Sequence, residues 1–117
     1  TVQQYDCFDL TLPACPSGLR CDFSFHGECI SSKPGVFENK SFGTLAQHMA
    51  ANGHAPGAAG GNASLVMKMD IEGSEWDVLA DDSALPLLDR FSQLVVEFHH
   101  TDQATPAQLQ ALQNLLK

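Results

Sequence analysis

Apolar residues change their spacing several times along this chain, and each change marks an element. Thr1–Asp6 (TVQQYD) predicts the end of a short strand closing on Asp6, whereas Cys7–Cys21 keeps no period and reads as a long irregular loop. Asp22–Ile30 (DFSFHGECI) alternates Phe23 and Phe25 with polar neighbours, predicting a strand broken near Gly27. Over Ser41–Asn52 (SFGTLAQHMAAN), Phe42, Leu45 and Met49 recur at helical spacing until Gly53 stops the helix. Its apolar stripe is narrow, so it belongs on one face of something larger.

The second half is patterned more strongly. Leu65–Met69 (LVMKM) is a compact apolar run of the kind found in buried parallel strands, and Gln93–His99 (QLVVEFH) is a second. Between them Trp76, Leu79 and Ala80 give helical spacing over Gly73–Ala80, and Leu87–Phe91 forms a short helical stretch after Pro86. Thr105 followed by Pro106 is a helix start, a cap and then proline at the first helical position. Leu109, Leu112 and Leu116 are expected to be its core stripe. Helices alternating with strands imply right-handed crossovers and a parallel sheet, hence an α/β fold class.

The chain has 117 residues, 44% of them hydrophobic, a one-domain length with enough apolar surface for a core. Its net charge is −8, and the second half carries nine acids against three bases. Such a field repels phosphate backbones, so nucleic acid is excluded as the expected partner. No apolar run is long enough for a membrane span.

Four cysteines, Cys7, Cys15, Cys21 and Cys29, lie in the first quarter with spacing C-x7-C-x5-C-x7-C. That spacing fits structural zinc poorly, because such sites set ligands two to four residues apart. The intervening loop holds Pro13, Pro16, Ser17 and Gly18 and calls for external stiffening, which two disulfides would supply. Buried thiols are the alternative, and the pairing stays open among three possibilities. Two sequons, Asn39-Lys-Ser and Asn62-Ala-Ser, agree with a secretory lumen or extracellular compartment. His54–Asn62 (HAPGAAGGN) reads as a flexible surface connection; it lacks the Lys-Ser/Thr ending of a phosphate loop.

In open parallel sheets ligands bind beyond the carboxyl ends of the strands. Asp6 ends the first strand there; Asp70, Glu72 and Glu75 follow Leu65–Met69; Glu97, His99 and His100 finish Gln93–His99. Lys68 sits within an apolar run, where an unpaired ammonium is costly, so Asp70 or Glu97 is expected to pair with it. Gly73 suits a tight strand-to-helix turn. Glu72 and Glu75 also complement the positive end of the following helix. Trp76 is expected in the core, His26 and His48 in structural roles, and His54 on a loop surface.

The string KMDIEGSEWDVL (Lys68–Leu79), followed by QLVVEFHH (Gln93–His100), resembles the FkbM-type, methyltransferase-like families. YDC (Tyr5–Cys7), FSFHGECI and SFGTLAQHM resemble the same families in the same order. The resemblance implies a partial Rossmann-like methyltransferase sheet over residues 1–117, with a Cys-rich strand and loop region at 1–40 and a helix–strand–helix–strand–helix region at 41–117. It implies S-adenosylmethionine as cofactor and methyl transfer to an oxygen or nitrogen of a small-molecule or glycan-like acceptor. Asp6, Asp70 and Glu72 would contact the cofactor, Asp6 through the ribose hydroxyls; Asp70, Glu97 and His99 would be catalytic. His99 is the favoured base, since its ordinary pKa lies near neutrality. The central first strand with its glycine-rich turn, and the last two strands, have no counterpart here, so the chain is expected to be an interior fragment that binds cofactor feebly alone. Two other readings stand beside this one. One is a catalytically silent, disulfide-stapled lumenal or extracellular binding module. The other is a metal-dependent hydrolase or oxygenase using Asp70, Glu72, Glu97, His99 or His100 as ligands, against which count the absence of H-x-D and H-E-x-x-H and the opposite facing of His99 and His100.

Overall fold

Residues 1–11 and 14–117 are described by a computed structural model; Leu12 and Pro13, the second of them one of the expected loop-turn residues, lie outside it. The opening strand β1 (Val2–Tyr5) pairs in parallel with β2 (Phe23–His26), from Val2 opposite Phe23 to Tyr5 opposite His26. The chain then breaks at Gly27, as its sequence predicts, and resumes as β3 (Cys29–Ile30). A hairpin follows, β4 (Gly35–Phe37) and β5 (Lys40–Gly43), giving a small sheet of order β3-β5-β4. Glu38 and Asn39 form its turn with φ of 48° and 61°, the backbone pair that a two-residue turn needs to match strand twist.

This hairpin corrects the helix expected over Ser41–Asn52. Ser41 and Phe42 are strand residues, and the helix α1 runs Leu45–Ala51. Thr44 sets its start through a capping box: the Gln47 N–H donates to Thr44 Oγ1 (3.1 Å) and the Thr44 N–H to Gln47 Oε1 (2.9 Å). Phe42 shares helical spacing with Leu45 by coincidence across that boundary.

The second half builds β6 (Leu65–Met69), α2 (Glu75–Ala80), α3 (Ala84–Leu88), β7 (Phe91–Val96) and α4 (Pro106–Leu115). Strands β6 and β7 pair in parallel with Lys68 opposite Val95 and Met69 opposite Val96. Expected as Leu87–Phe91, the short helix begins earlier and contains Pro86, while Phe91 opens β7 and Glu97–His99 lie beyond its end. The strands are not buried on both faces as expected. Leu65, Met67, Met69, Leu94 and Val96 face the core, while Val66, Lys68 and Val95 alternate outward. Lys68 is 70% exposed, so its ammonium is solvated and the burial expected for it does not occur; it nevertheless pairs with Asp70.

Leu45, Met49, Met69, Val78, Leu79, Leu87 and Ala111 form the core. Helix α4 corrects another expectation: Leu109, Leu112 and Leu116 are 54%, 44% and 87% exposed, and the buried face carries Gln108, Ala111 and Asn114. Ala111 lets α4 approach α2 closely, and the two amides replace apolar packing with hydrogen bonds. Asn114 Nδ2 donates to the Leu79 carbonyl (2.8 Å) near the end of α2, supplying a partner that a helix end otherwise lacks.

The cysteines pair as Cys7–Cys29 and Cys15–Cys21. The first ties the segment after β1 to β3; the second closes the turn within the irregular loop. His26 and His48 are structural, as expected. Tyr5 stacks on His26 and packs against His48, with ring centroids 4.4 and 4.3 Å apart, and Asn52 Nδ2 donates to its hydroxyl (2.7 Å). The glycine-rich stretch 54–61 is wrapped around buried Arg90. That guanidinium donates to the carbonyls of His54 (3.2 Å), Ala58 (3.4 Å), Ala59 (3.3 Å) and Gly61. Among the described residues, no helix is long and apolar enough to cross a membrane.

Candidate functional site

Two turns bring the polar ends of β6 and β7 together. After β6 the chain turns through Glu72 (φ 55°) and Gly73 (φ 108°) into α2. A side chain at Gly73 would place its Cβ 3.1 Å from the His100 ring, in a backbone region that L residues avoid. After β7, His100 also turns with positive φ (55°). The site therefore lies between two left-handed turns, a conformation uncommon for residues other than glycine.

The first turn of α2 holds His99 by both main chain and side chain. Glu75, fully buried, accepts at Oε1 from the His99 backbone N–H (2.8 Å) and faces His99 Nδ1 at 2.7 Å. Its Oε2 accepts from the Gly73 N–H (2.9 Å). The next residue, Trp76, donates from Nε1 to the His99 carbonyl (2.6 Å) and stacks on Phe98 with centroids 4.3 Å apart. Trp76 is thus only partly a core residue. Gln108, at the start of α4, donates from Nε2 to the His100 carbonyl (2.9 Å).

With Nδ1 held by Glu75, His99 turns Nε2 toward three other carboxylates. Asp70 Oδ1 lies at 3.7 Å, Glu97 Oε1 at 3.7 Å and Glu72 Oε2 at 3.4 Å. Asp70 Oδ2 faces Lys68 Nζ at 3.7 Å, which identifies Asp70 as the lysine's partner. Hydrogen bonding to Glu75 raises the His99 pKa above 6.5; desolvation opposes this, and the charges of Glu75, Glu72 and Asp70 add to it. Burial pushes the Glu75 carboxyl up, but hydrogen bonds from its own backbone, from His99 and from Gly73 outweigh it and hold the group below 4.5.

Of the residues singled out from the sequence, Asp70, Glu72, Glu97 and His99 meet at one rim. Asp6 is engaged elsewhere: its Oδ1 accepts from the N–H groups of Phe8 (2.8 Å) and Asp9 (2.9 Å), organising the loop after β1. Glu75, expected with Asp70 and Glu72 at the strand end and as complement to a helix start, is buried behind the rim and orients the imidazole. Its place in the first turn after Gly73 was the available signal, but the pairing with His99 depends on how β7 ends. His100 lies against Gly73 and does not join the three carboxylates at His99 Nε2.

Comparison with protein-family models, curated proteins and solved structures finds no match to this chain.

Proposed function

We propose that the chain is part of an S-adenosylmethionine-dependent methyltransferase acting on an oxygen or nitrogen acceptor, with a partial Rossmann-like sheet. The observation that carries this reading is the meeting of Asp70, Glu97 and His99 beyond the carboxyl ends of a parallel strand pair, where such sheets bind ligands. The resemblance of Lys68–Leu79 and Gln93–His100 to the FkbM-type families supplies the reaction class. A second parallel pair, β1–β2, ends at Asp6.

The donor set suits the cofactor's chemistry: carboxylates accept from ribose hydroxyls and complement a positive sulfonium. S-adenosylmethionine, when bound, supplies an electrophilic methyl group. Asp70 and Glu72 would hold it. Asp70, Glu97 and His99 would face the acceptor, orient its hydroxyl or amine and receive the proton it gives up. Glu75 is a positioning residue that fixes which nitrogen of His99 faces the rim.

The test is transfer of a labelled methyl group to small-molecule and glycan acceptors by the full-length protein, with cofactor binding measured by calorimetry. Saturable binding and transfer are expected, with transfer lost in Asp70→Ala. Absence of binding by a folded protein overturns the reading. The two disulfides favour the alternative of a catalytically silent lumenal or extracellular binding module, and that same absence would leave it standing.

A further inference from the structure

We infer that Asp70, Glu97 and His99 form a binding site for a divalent transition-metal ion, with Glu75 fixing the imidazole behind them. Three carboxylate oxygens lie 3.4–3.7 Å from His99 Nε2, outside ordinary hydrogen-bond distance. Two atoms each about 2.1 Å from a tetrahedral ion stand about 3.4 Å apart. The distances from Nε2 are close to that edge, and one ligand atom each from Asp70, Glu97 and His99 all fall within 4.8 Å of one another.

The imidazole is prepared in the way metal-binding histidines are. A buried carboxylate on Nδ1 orients the ring, leaves Nε2 as the donor and strengthens it as a ligand. Glu75 does this while anchored by Gly73, and Trp76 secures the His99 carbonyl. Two carboxylates with one imidazole suit zinc, manganese or iron. Lys68 engages Asp70 through Oδ2 and leaves Oδ1 facing His99. Glu97, 62% exposed, can close on an ion without disturbing the core.

This site does not depend on methyl transfer. An imidazole that binds an ion through Nε2 cannot take a proton there, so in an ion-bound state the acceptor's proton would not go to His99.

The test is calorimetric titration of the metal-free chain with zinc chloride at pH 7.5, without S-adenosylmethionine, and a parallel manganese titration followed by amide NMR. One saturable zinc site is expected, with manganese broadening centred on Asp70, Glu97 and His99. Glu97→Gln should weaken binding at least tenfold, and Glu75→Gln, which keeps the shape but removes the charge behind the ring, by about 10–100-fold. Amide spectra of both variants check that the fold is intact. No saturable binding, affinity unchanged in Glu97→Gln, or broadening centred on His26, His48 or His54 would each overturn the inference. Ion binding without cofactor binding would keep this site and remove the methyl-transfer reading; cofactor binding without ion binding would do the reverse.

Discussion

Glu75 Oε1 receives the His99 backbone N–H and sits against the same residue's Nδ1, so one buried oxygen sets both the path of the chain after β7 and the direction of its imidazole. The contact joins residues 24 apart in sequence. It makes the end of β7 and the start of α2 a single structural unit, and the pH dependence of stability should report it.

In the presence of a chelator, the Glu75–His99 pair should contribute most between about pH 4.5 and 6.5, the groups' ordinary values. Glu75 has a lowered pKa, so its contribution is present above 4.5 and is lost as pH falls through the folded value. His99 has a raised pKa, so its contribution is complete below 6.5 and is lost as pH rises through the folded value. Urea unfolding from pH 3 to 9 should show this hump, and Glu75→Gln should flatten it. A variant whose profile parallels the wild type would disprove the coupling.

Gly73→Ala should destabilise the chain by about 1–3 kcal/mol, because a Cβ is strained at φ 108° and crowds the His100 ring. Chemical denaturation measures the loss. Amide shifts should move at Gly73, Glu75, His99 and His100 and stay fixed around Arg90.

On α4, the amides should matter more than the leucines. Asn114→Ala removes a buried hydrogen bond and strands the Leu79 carbonyl, at a cost of about 1–3 kcal/mol. Leu116→Ala should change stability by less than about 0.5 kcal/mol, as surface replacements do. The opposite ranking in urea melts would mean that α4 docks through its leucine face.

Removing the Cys7–Cys29 bridge with a double alanine variant should cost about 3 kcal/mol, the chain-entropy value for a loop of this length. Losing Cys15–Cys21, which spans six residues, should cost less. Denaturant midpoints of the two variants give the comparison.

Much of the second half was legible because its signals are local. LVMKM announced β6, Gly73 announced the turn after it, and Thr105-Pro106 announced the start of α4. The rim was legible too: parallel strands end on the same side, so acids after one and a histidine after the other had to approach. Glu75 was not, because its partner lies across a crossover and no spacing encodes that distance. The face of α4 was misread because periodicity weighs leucines and overlooks amides that find buried partners. Strands β4 and β5 are short and β4 is exposed, so apolar alternation carries little signal there, and Phe42 lent its spacing to the neighbouring helix.

Arg90 leaves the stretch 54–61 little room for partial order. Its guanidinium gathers four carbonyls spread over eight residues, so one side chain secures the stretch at several points. The stretch should detach and reseat as one latch. Truncating that single side chain would turn a docked strap into a loose tether whose glycines, held at positive φ at 57, 60 and 61, would regain their freedom together.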